Sequence, residues 1–116
     1  AGRQQTLESS DFGISLAIGG LAKTLEQAGK LEEALIYAQQ VLDHRLKHEG
    51  PDSWHANLSR LDLARVLHKL ARSAEALKML NQLQNSMKDI LEPDDSDRKL
   101  MQDAEALRRD LETLSS

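Results

Sequence analysis

Two stretches of this chain decide its fold: LAKTLEQAGKLEEAL at residues 21–35 and LARVLHKLARSAEAL at residues 63–77. They lie 42 residues apart, and the same step, without a gap, places Phe12 on Trp54. A fixed period of a few tens of residues is typical of a solenoid, in which each unit buries its apolar face against its neighbours. The repeat therefore predicts stacked helical hairpins, a type of fold that usually binds other proteins.

Helical periodicity and chain breaks divide the sequence into five segments. Leucine and alanine recur at steps of three and four residues, the period of one helix face. The breaks fall at Gly29, Gly50-Pro51, Ala71 and Pro93, where glycine favours a helix end and proline cannot continue a helix. We expect an all-α fold, an α-solenoid of two antiparallel helical hairpins plus a C-terminal capping helix, five helices in one domain. The expected ranges are 1–116 for the domain, about 11–50 for repeat 1, about 53–92 for repeat 2 and about 95–114 for the capping helix.

Short polar residues mark the places where the helices are expected to begin. Serine and aspartate offer side-chain oxygens to the unpaired amides of a first helical turn. On this basis residues 9–11 cap the first helix, Asp52 and Ser53 cap the third, and Ser73 caps the fourth. The fourth helix is expected to bury its apolar face as far as Ile90.

The fifth helix carries a narrow apolar stripe flanked by charged residues. The stripe consists of Leu100, Ala104, Leu107, Leu111 and Leu114, at steps of four, three, four and three. It is either a cap that closes the end of the stack or a seam for another helix, from a partner or from a second copy of the chain. We favour the cap because an open stack needs one.

Composition excludes several classes of function. Cysteine is absent, which excludes a disulfide framework, a thiol nucleophile and a cysteine-ligated metal. A net charge of -4, with acids and bases interspersed, argues against a nucleic-acid partner. No apolar run approaches the ~20 residues of a membrane-spanning helix, so we expect no membrane contact by this part of the protein. The first residue is not Met, so we expect a mature form or an excised piece. Whether a targeting segment or an anchor lies outside it is left open.

Residues 21–34 resemble the first helix, the turn and the second-helix start of a tetratricopeptide repeat. The 42-residue period and the link Gly50-Pro51-Asp52 are similar to the long-repeat subclass typified by kinesin light chain. In that subclass a leucine and a small residue stand side by side on the first helix, a glycine makes the turn and an alanine packs on the second helix. Those places are taken here by Leu21, Ala22, Gly29 and Ala34, and in the second unit by Leu63, Ala64, Ala71 and Ala76.

Three departures from that subclass stand out. Arg60 lies where a large apolar side chain is usual, and Ala71 replaces the turn glycine. The asparagines that kinesin light chains carry just before the Leu-Ala pair are replaced by Gly19-Gly20 and by Leu61-Asp62. Without lysine, arginine or asparagine at those positions, a clamp for a terminal carboxylate is disfavoured, and the cargo rules of the subclass are not carried over.

The resemblance implies a binding groove on the first helices of the repeats. Its floor is expected to be apolar and its charge partly positive, which suits an amphipathic partner helix that carries acidic residues. Reversing the charge at Lys23, Arg65 and Lys69 together is expected to weaken binding without unfolding the domain. The groove positions are Leu16, Gly19, Lys23, Glu26 and Gln27 in the first repeat and Leu58, Leu61, Arg65, His68 and Lys69 in the second.

The pair Gly19-Gly20 lies inside the first expected helix. Glycine in a helix interior costs about 1 kcal/mol relative to alanine, so another interaction should compensate. A preceding helix or the neighbouring hairpin packs tightly there, or else a ligand lies over the pair.

No catalytic or metal constellation is found. His44 and His48 lie four residues apart on one helix face, but no glutamate stands between them as in zinc proteases, and a solvated face explains them better. Helical hairpins offer no ready oxyanion hole, and Gly29-Lys30 lacks the other residues of a phosphate loop. We expect neither an enzyme nor a cofactor nor a metal.

Two classes of function stay open. The first is a module that docks a helix or peptide of another protein, as an adaptor or an inhibitory subunit. Within it the whole chain resembles the plastid FLU-type regulators of tetrapyrrole synthesis, which implies glutamyl-tRNA reductase as the partner. The domain is then expected to be soluble and intracellular, in the cytoplasm or in a plastid. The second class is a self-associating scaffold that dimerises through the fifth helix.

Overall fold

Five helices form the fold, in a computed structural model that describes residues 2–115, with side chains at residue 13 and at residues 16–113. No β-strand occurs between residues 2 and 115. The hairpins α1–α2 and α3–α4 pack on each other through α2 and α3, and α5 packs on α3 and α4. The all-α solenoid of two hairpins plus a capping helix is therefore confirmed. The helices are α1 (Gly2–Gln27), α2 (Leu31–Glu49), α3 (Trp54–Lys69), α4 (Ser73–Met87) and α5 (Asp95–Ser115).

The two hairpin turns have the same backbone geometry although their residues differ. Gly29 has a φ of 82° and Ala71 has a φ of 61°, so both occupy the left-handed region. That region suits glycine, whereas the Cβ of an alanine is strained there. Both turns close with the same bond between equivalent groups, from the Lys30 amide to the Leu25 carbonyl at 2.9 Å and from the Arg72 amide to the Leu67 carbonyl at 2.8 Å.

The first helix starts earlier than the sequence predicts. It begins at Gly2, so residues 9–11 lie within α1 and do not cap it, which corrects the prediction. Residues 3–8 contain neither glycine nor proline, and most of them are good helix formers, so nothing in the chain stops the helix there. Phe12 and Leu114, predicted to be apolar packing residues, lie outside the described side chains.

The later helix ends follow the sequence in part. The Ser53 hydroxyl accepts a hydrogen bond from the Ala56 amide at 3.0 Å, which confirms the cap of α3. Ser73 is instead the first residue of α4, and its neighbour Arg72 stands at the cap position without a side-chain bond, so this prediction is wrong. Ile90 lies beyond the end of α4 and is 38% exposed, not buried as predicted.

The start of α5 contains a cap that the sequence analysis did not predict. The Asp97 amide donates to Asp94 Oδ1 at 2.8 Å, and the Asp94 amide donates to Asp97 Oδ2 at 3.1 Å. This reciprocal pair satisfies two amides and places acidic groups at the positive end of the helix dipole.

The core runs along α3, which is covered on both sides. Ala34, Ala64 and Ala76 are completely buried, as expected of the small residues that let two helices of a hairpin approach each other. Leucines from α3 and α4 fill the space around them. The described part of the α5 stripe is also buried, at Leu100, Ala104, Leu107 and Leu111, so α5 closes this end of the stack as predicted.

The stack is tighter on the side of the odd-numbered helices. α1 contacts α3 and α3 contacts α5, whereas no described Cα atom of α2 lies within 8 Å of one in α4. We call the surface formed by α1, α3 and α5 the inner face, and the gap between α2 and α4 the outer cleft. The outer cleft is lined by Leu35, Ile36, Gln39, Gln40, Leu63, Leu67, Arg72, Glu75, Lys78 and Met79.

Candidate functional site

The structure brings most of the predicted groove residues together on the inner face. Leu16 is exposed over 53% of its surface. Lys69 of α3 reaches Glu26 of α1, which joins the two helices across the groove. Lys23 and Gln27 of α1 are exposed as well, and Gly19, Leu58, Arg65 and His68 are half-buried.

Leu61 does not line the groove. Only 1% of its surface is exposed, and it belongs to the main core cluster, so its predicted role as a groove residue is wrong. Its counterpart in the first repeat, Gly19, is half-buried beside a recess. The two positions differ because α3 packs on α2, α4 and α5, whereas α1 packs on α2 and contacts α3 only weakly.

Acidic neighbours balance most of the positive charge in the groove. Lys69 Nζ lies 2.8 Å from Glu26 Oε2, and Arg65 lies 3.4 Å from Asp62 and 3.9 Å from Asp103. Lys23 forms no salt bridge among the described side chains, although its charge still acts on Asp62 and opposes the rise of that carboxyl's pKa. Of the groove cations it is the one without a close acidic partner.

A recess opens on the inner face between the first three helices. Its polar wall contains Ser59, which is 3% exposed and whose hydroxyl has no hydrogen-bond partner in the described part of the chain. It also contains Asp62, whose pKa is raised by partial burial although 45% of its side chain still reaches solvent. The recess is lined by Gly19, Ala22, Lys23, Glu26, Ala38, Val41, Ser59, Asp62 and Val66.

A second, more open depression lies further along the inner face. It encloses about 550 Å³, counting the part open to solvent, and contains Trp54, the single tryptophan of the chain. The indole Nε1 of Trp54 is buried and has no partner among the described residues. Because the indole borders the groove, its fluorescence can report binding there. The other lining residues are Leu58, Ser96, Lys99, Leu100 and Asp103.

Packing among the described residues does not explain the glycine pair. A Cβ added to Gly20 would meet no described atom within 4 Å, and one added to Gly19 would make an ordinary contact of 4.0 Å with Val41. Neither position therefore needs glycine for the packing of the described residues. Of the two explanations for this pair, tight packing by the neighbouring hairpin finds no support.

Arg60, the unusual residue of the second repeat, has a structural role. It is 7% exposed and donates to the Pro51 carbonyl at 2.7 Å and to Asn57 Oδ1 at 2.5 Å. Asn57 in turn donates to the Ser86 hydroxyl at 3.0 Å, so the link between the hairpins is tied to α3 and α4. Burial lowers the pKa of Arg60, as expected for a guanidinium that no carboxylate contacts directly.

Among the described side chains, the histidines belong to no group that could hold a metal ion. The rings of His44 and His48 lie against each other with centroids 4.3 Å apart, and no three His, Cys, Asp or Glu side chains between residues 16 and 113 could hold a metal together. Among the described helices, none is both long and apolar enough to cross a bilayer.

Sequence reasoning missed several residues of the inner face, which lie on α3 and α5. Ser59, Asp62 and Val66 lie at steps of three and four residues, so their spacing alone places them on one face of α3. Lys99 and Asp103 of α5 also join the inner face. No such pattern could predict this, because it depends on how α5 packs.

No protein-family model matches the chain, and neither a curated protein nor a solved structure matches it.

Proposed function

We propose that this domain is a protein–protein interaction module that binds a helix or peptide segment of a partner on its inner face, as an adaptor or a regulatory subunit. The observation that carries the proposal is the pair Gly19-Gly20. Two helical glycines cost about 2 kcal/mol relative to alanine, and no contact among the described residues requires them. A polypeptide that packs closely against α1 would explain the glycines, because it needs the space that Cβ atoms would fill at these two positions.

The chemistry of the inner face supports an amphipathic partner helix. Leu16 and Leu58 offer apolar contacts, and Trp54 adds an aromatic side chain of the kind that often anchors an interface. Lys23 favours an acidic side chain on the partner, since no described residue pairs with it. Helix-in-groove recognition uses this combination of apolar anchors and flanking charge.

The relationship to tetratricopeptide repeats of the long class is part of the same proposal. Supporting observations are the identical turn bonds 42 residues apart and the fully buried alanines at equivalent places in the two hairpins. Both are features that this family shares, and both follow from the short turn and close helix approach of a hairpin.

Among possible partners, the resemblance to FLU-type regulators points to glutamyl-tRNA reductase. Isothermal titration of that enzyme with this domain tests the assignment directly. Saturable heat that disappears with Lys23→Glu supports a FLU-like negative regulator in a plastid. Absence of heat rejects this partner, and the inner face would then bind a helix of a different protein.

A self-associating scaffold is the less favoured function. The stripe on α5 that would form the seam is buried inside the domain at Leu100, Ala104, Leu107 and Leu111. A second copy would therefore have to use the outer side of α5, where the large apolar side chain described as exposed is Met101, at 36% exposure. We expect a monomer at micromolar concentration in analytical ultracentrifugation, and a tight dimer would favour the scaffold.

A matched pair of variants tests whether the inner face binds the partner. Leu16→Asp changes a side chain that is 53% exposed on the inner face, and Ile36→Asp changes one that is 57% exposed at the outer cleft. Each variant serves as bait in affinity capture from the source cells, followed by mass spectrometry. We expect Leu16→Asp to lose the proteins that the wild type and Ile36→Asp both retain; the opposite result would place the site in the outer cleft.

A further inference from the structure

One side of α1 is exposed although the equivalent side of α3 is buried. On α3 the three positions are 3%, 1% and 2% exposed, and they are Ser59, Leu63 and Val66. Their counterparts 42 residues earlier are all exposed, and we call them the end face: Ala17, Leu21 and Thr24. Leu21 is 43% exposed although it is the same residue as Leu63. A side that is core in the second repeat is therefore bare in the first.

The helix α2 covers this side of α3. Ser59 and Val66 line one recess together with Ala38 and Val41 of α2. Leu63 borders the outer cleft, which residues of α2 also line. The helix that precedes α3 in the stack thus buries the positions that stay exposed on α1.

No described helix covers the end face. In the described part of the chain α1 packs on α2 and, weakly, on α3. Gly19 of α1 faces Val41 of α2, and at about 100° per residue Leu21 lies about 160° around the helix from Gly19. Leu21 also lies about 140° from Leu16, the exposed leucine of the inner face. The end face is therefore a separate surface that points away from the rest of the domain.

We propose that the end face docks a helix of a partner protein whose apolar stripe resembles that of α2, in the position that α2 takes on α3. The same positions of the second repeat already hold such a helix. Ala17 and Thr24 are no larger than their counterparts on α3, so a helix fits at the usual separation of about 8–10 Å between axes. The inference goes beyond the proposed function because it assigns a second surface.

A second copy of the chain does not supply this helix. The stripes with which α2 and α4 pack are already buried inside the domain, at Ala38, Val41 and Leu42 and at Leu80, Leu83 and Met87. The occupant must therefore come from a different protein.

The occupant should differ from α2 at one position. Arg45 of α2 is 5% exposed and donates to the His55 carbonyl of α3 at 3.1 Å. Burial lowers the pKa of Arg45, and the charges of Glu49 and Asp62 oppose that shift. The counterpart of Asp62 on α1 is Gly20, which brings no charge. Because a buried cation without a nearby acid is costly, we expect an apolar residue on the partner where α2 carries Arg45.

A peptide tests the end face without knowledge of the partner. The probe has the sequence of residues 31–49 with Arg45→Leu and blocked ends, and it is titrated into the 116-residue chain with proton–nitrogen NMR detection. We expect saturable shifts centred on the amides of Ala17, Leu21 and Thr24. The affinity should be weak, since an isolated helix of this length is marginal in water. Absence of saturation, or saturable shifts centred on any other part of the chain, would overturn the proposal.

Two exposed apolar side chains provide a matched pair of variants. Leu21→Asp places a charge under the docked helix and should abolish the shifts. Ile36→Asp changes a side chain that is 57% exposed at the outer cleft and should leave the peptide affinity unchanged. Equal losses in the two variants would count against the end face.

A charge introduced at Gly20 should reverse the choice of peptide. The wild-type chain should prefer the Arg45→Leu peptide to the unmodified one about fivefold, the size of one partly exposed ion pair. Gly20→Asp supplies the missing acid, and a Cβ at this position meets no described atom within 4 Å, so this variant should prefer the unmodified peptide. An unchanged preference would contradict docking in the manner of α2.

Failure of the end face and failure of the proposed function are distinguishable. The first is measured with the peptide and Leu21→Asp, and the second with the captured proteins and Leu16→Asp. Either result can be negative while the other is positive.

Discussion

Helices α1 and α3 occupy the same place in the repeat but differ in burial. Leu21 on α1 is 43% exposed, whereas its counterpart Leu63 on α3 is 1% exposed. The helix α3 packs on α2 and α4 and also contacts α1 and α5, while α1 contacts α2 and, more weakly, α3. The same residue at the same repeat position is thus a core residue in the middle of a stack and a surface residue at its end.

The largest expected effect separates these two leucines. Leu63→Ala should lower the free energy of unfolding by about 3 kcal/mol, because it removes most of a leucine side chain that is 1% exposed in the core. Leu21→Ala should cost less than about 1 kcal/mol, because much of the side chain is already in water. Urea unfolding measures both, and similar losses would mean that α1 is covered by something outside the described residues.

Substitutions at the two hairpin turns should change the free energy of unfolding by an intermediate amount. Ala71→Gly should stabilise the domain by about 1 kcal/mol, since it relieves an alanine with a positive φ. Gly29→Ala makes the reverse change at the equivalent turn and should destabilise by a similar amount. Thermal and urea unfolding check the signs; two changes in the same direction would contradict the equivalence of the turns.

A substitution at Gly20 should have opposite effects on the stability of the domain and on partner binding. Gly20→Ala should stabilise the free domain by a little under 1 kcal/mol, because alanine favours the helix and its Cβ meets open space. The same change should weaken the partner captured by the inner face. Unchanged capture by the stabilised variant would remove the main support for a ligand over the glycine pair.

The smallest expected effect compares two lysines of the inner face. Lys69→Glu breaks the 2.8 Å pair with Glu26 and sets two acids against each other, so it should destabilise by about 0.5–1 kcal/mol at low salt. Lys23→Glu should change stability less, since Lys23 has no pair among the described residues. Reversing Lys23, Arg65 and Lys69 together would therefore mix binding with stability, and Lys23→Glu alone is the cleaner test. Unfolding curves at low and high salt separate the two variants.

Local signals in the sequence predicted most of the fold. The glycine at residue 29, the proline at residue 51 and the cap at Ser53 act within a few residues, so they could be read directly. Ser73 misled the prediction because backbone bonds already close the turn before α4. Leu61 was placed in the groove because the resemblance implies that its repeat position lines the first-helix face, and the sequence does not show how fully α3 is enclosed at that position.

The sequence by itself determined the helical hairpins, since a 42-residue period and helix-face spacing are properties of the chain taken in order. The packing of the helices decided which repeat positions became core and which became surface. It also brought Ser59, Asp62 and Glu26 around one recess and paired Lys69 with an acid 43 positions away. Contacts of this kind depend on the number of neighbours that each helix has in space, and a periodic pattern carries no information about that number.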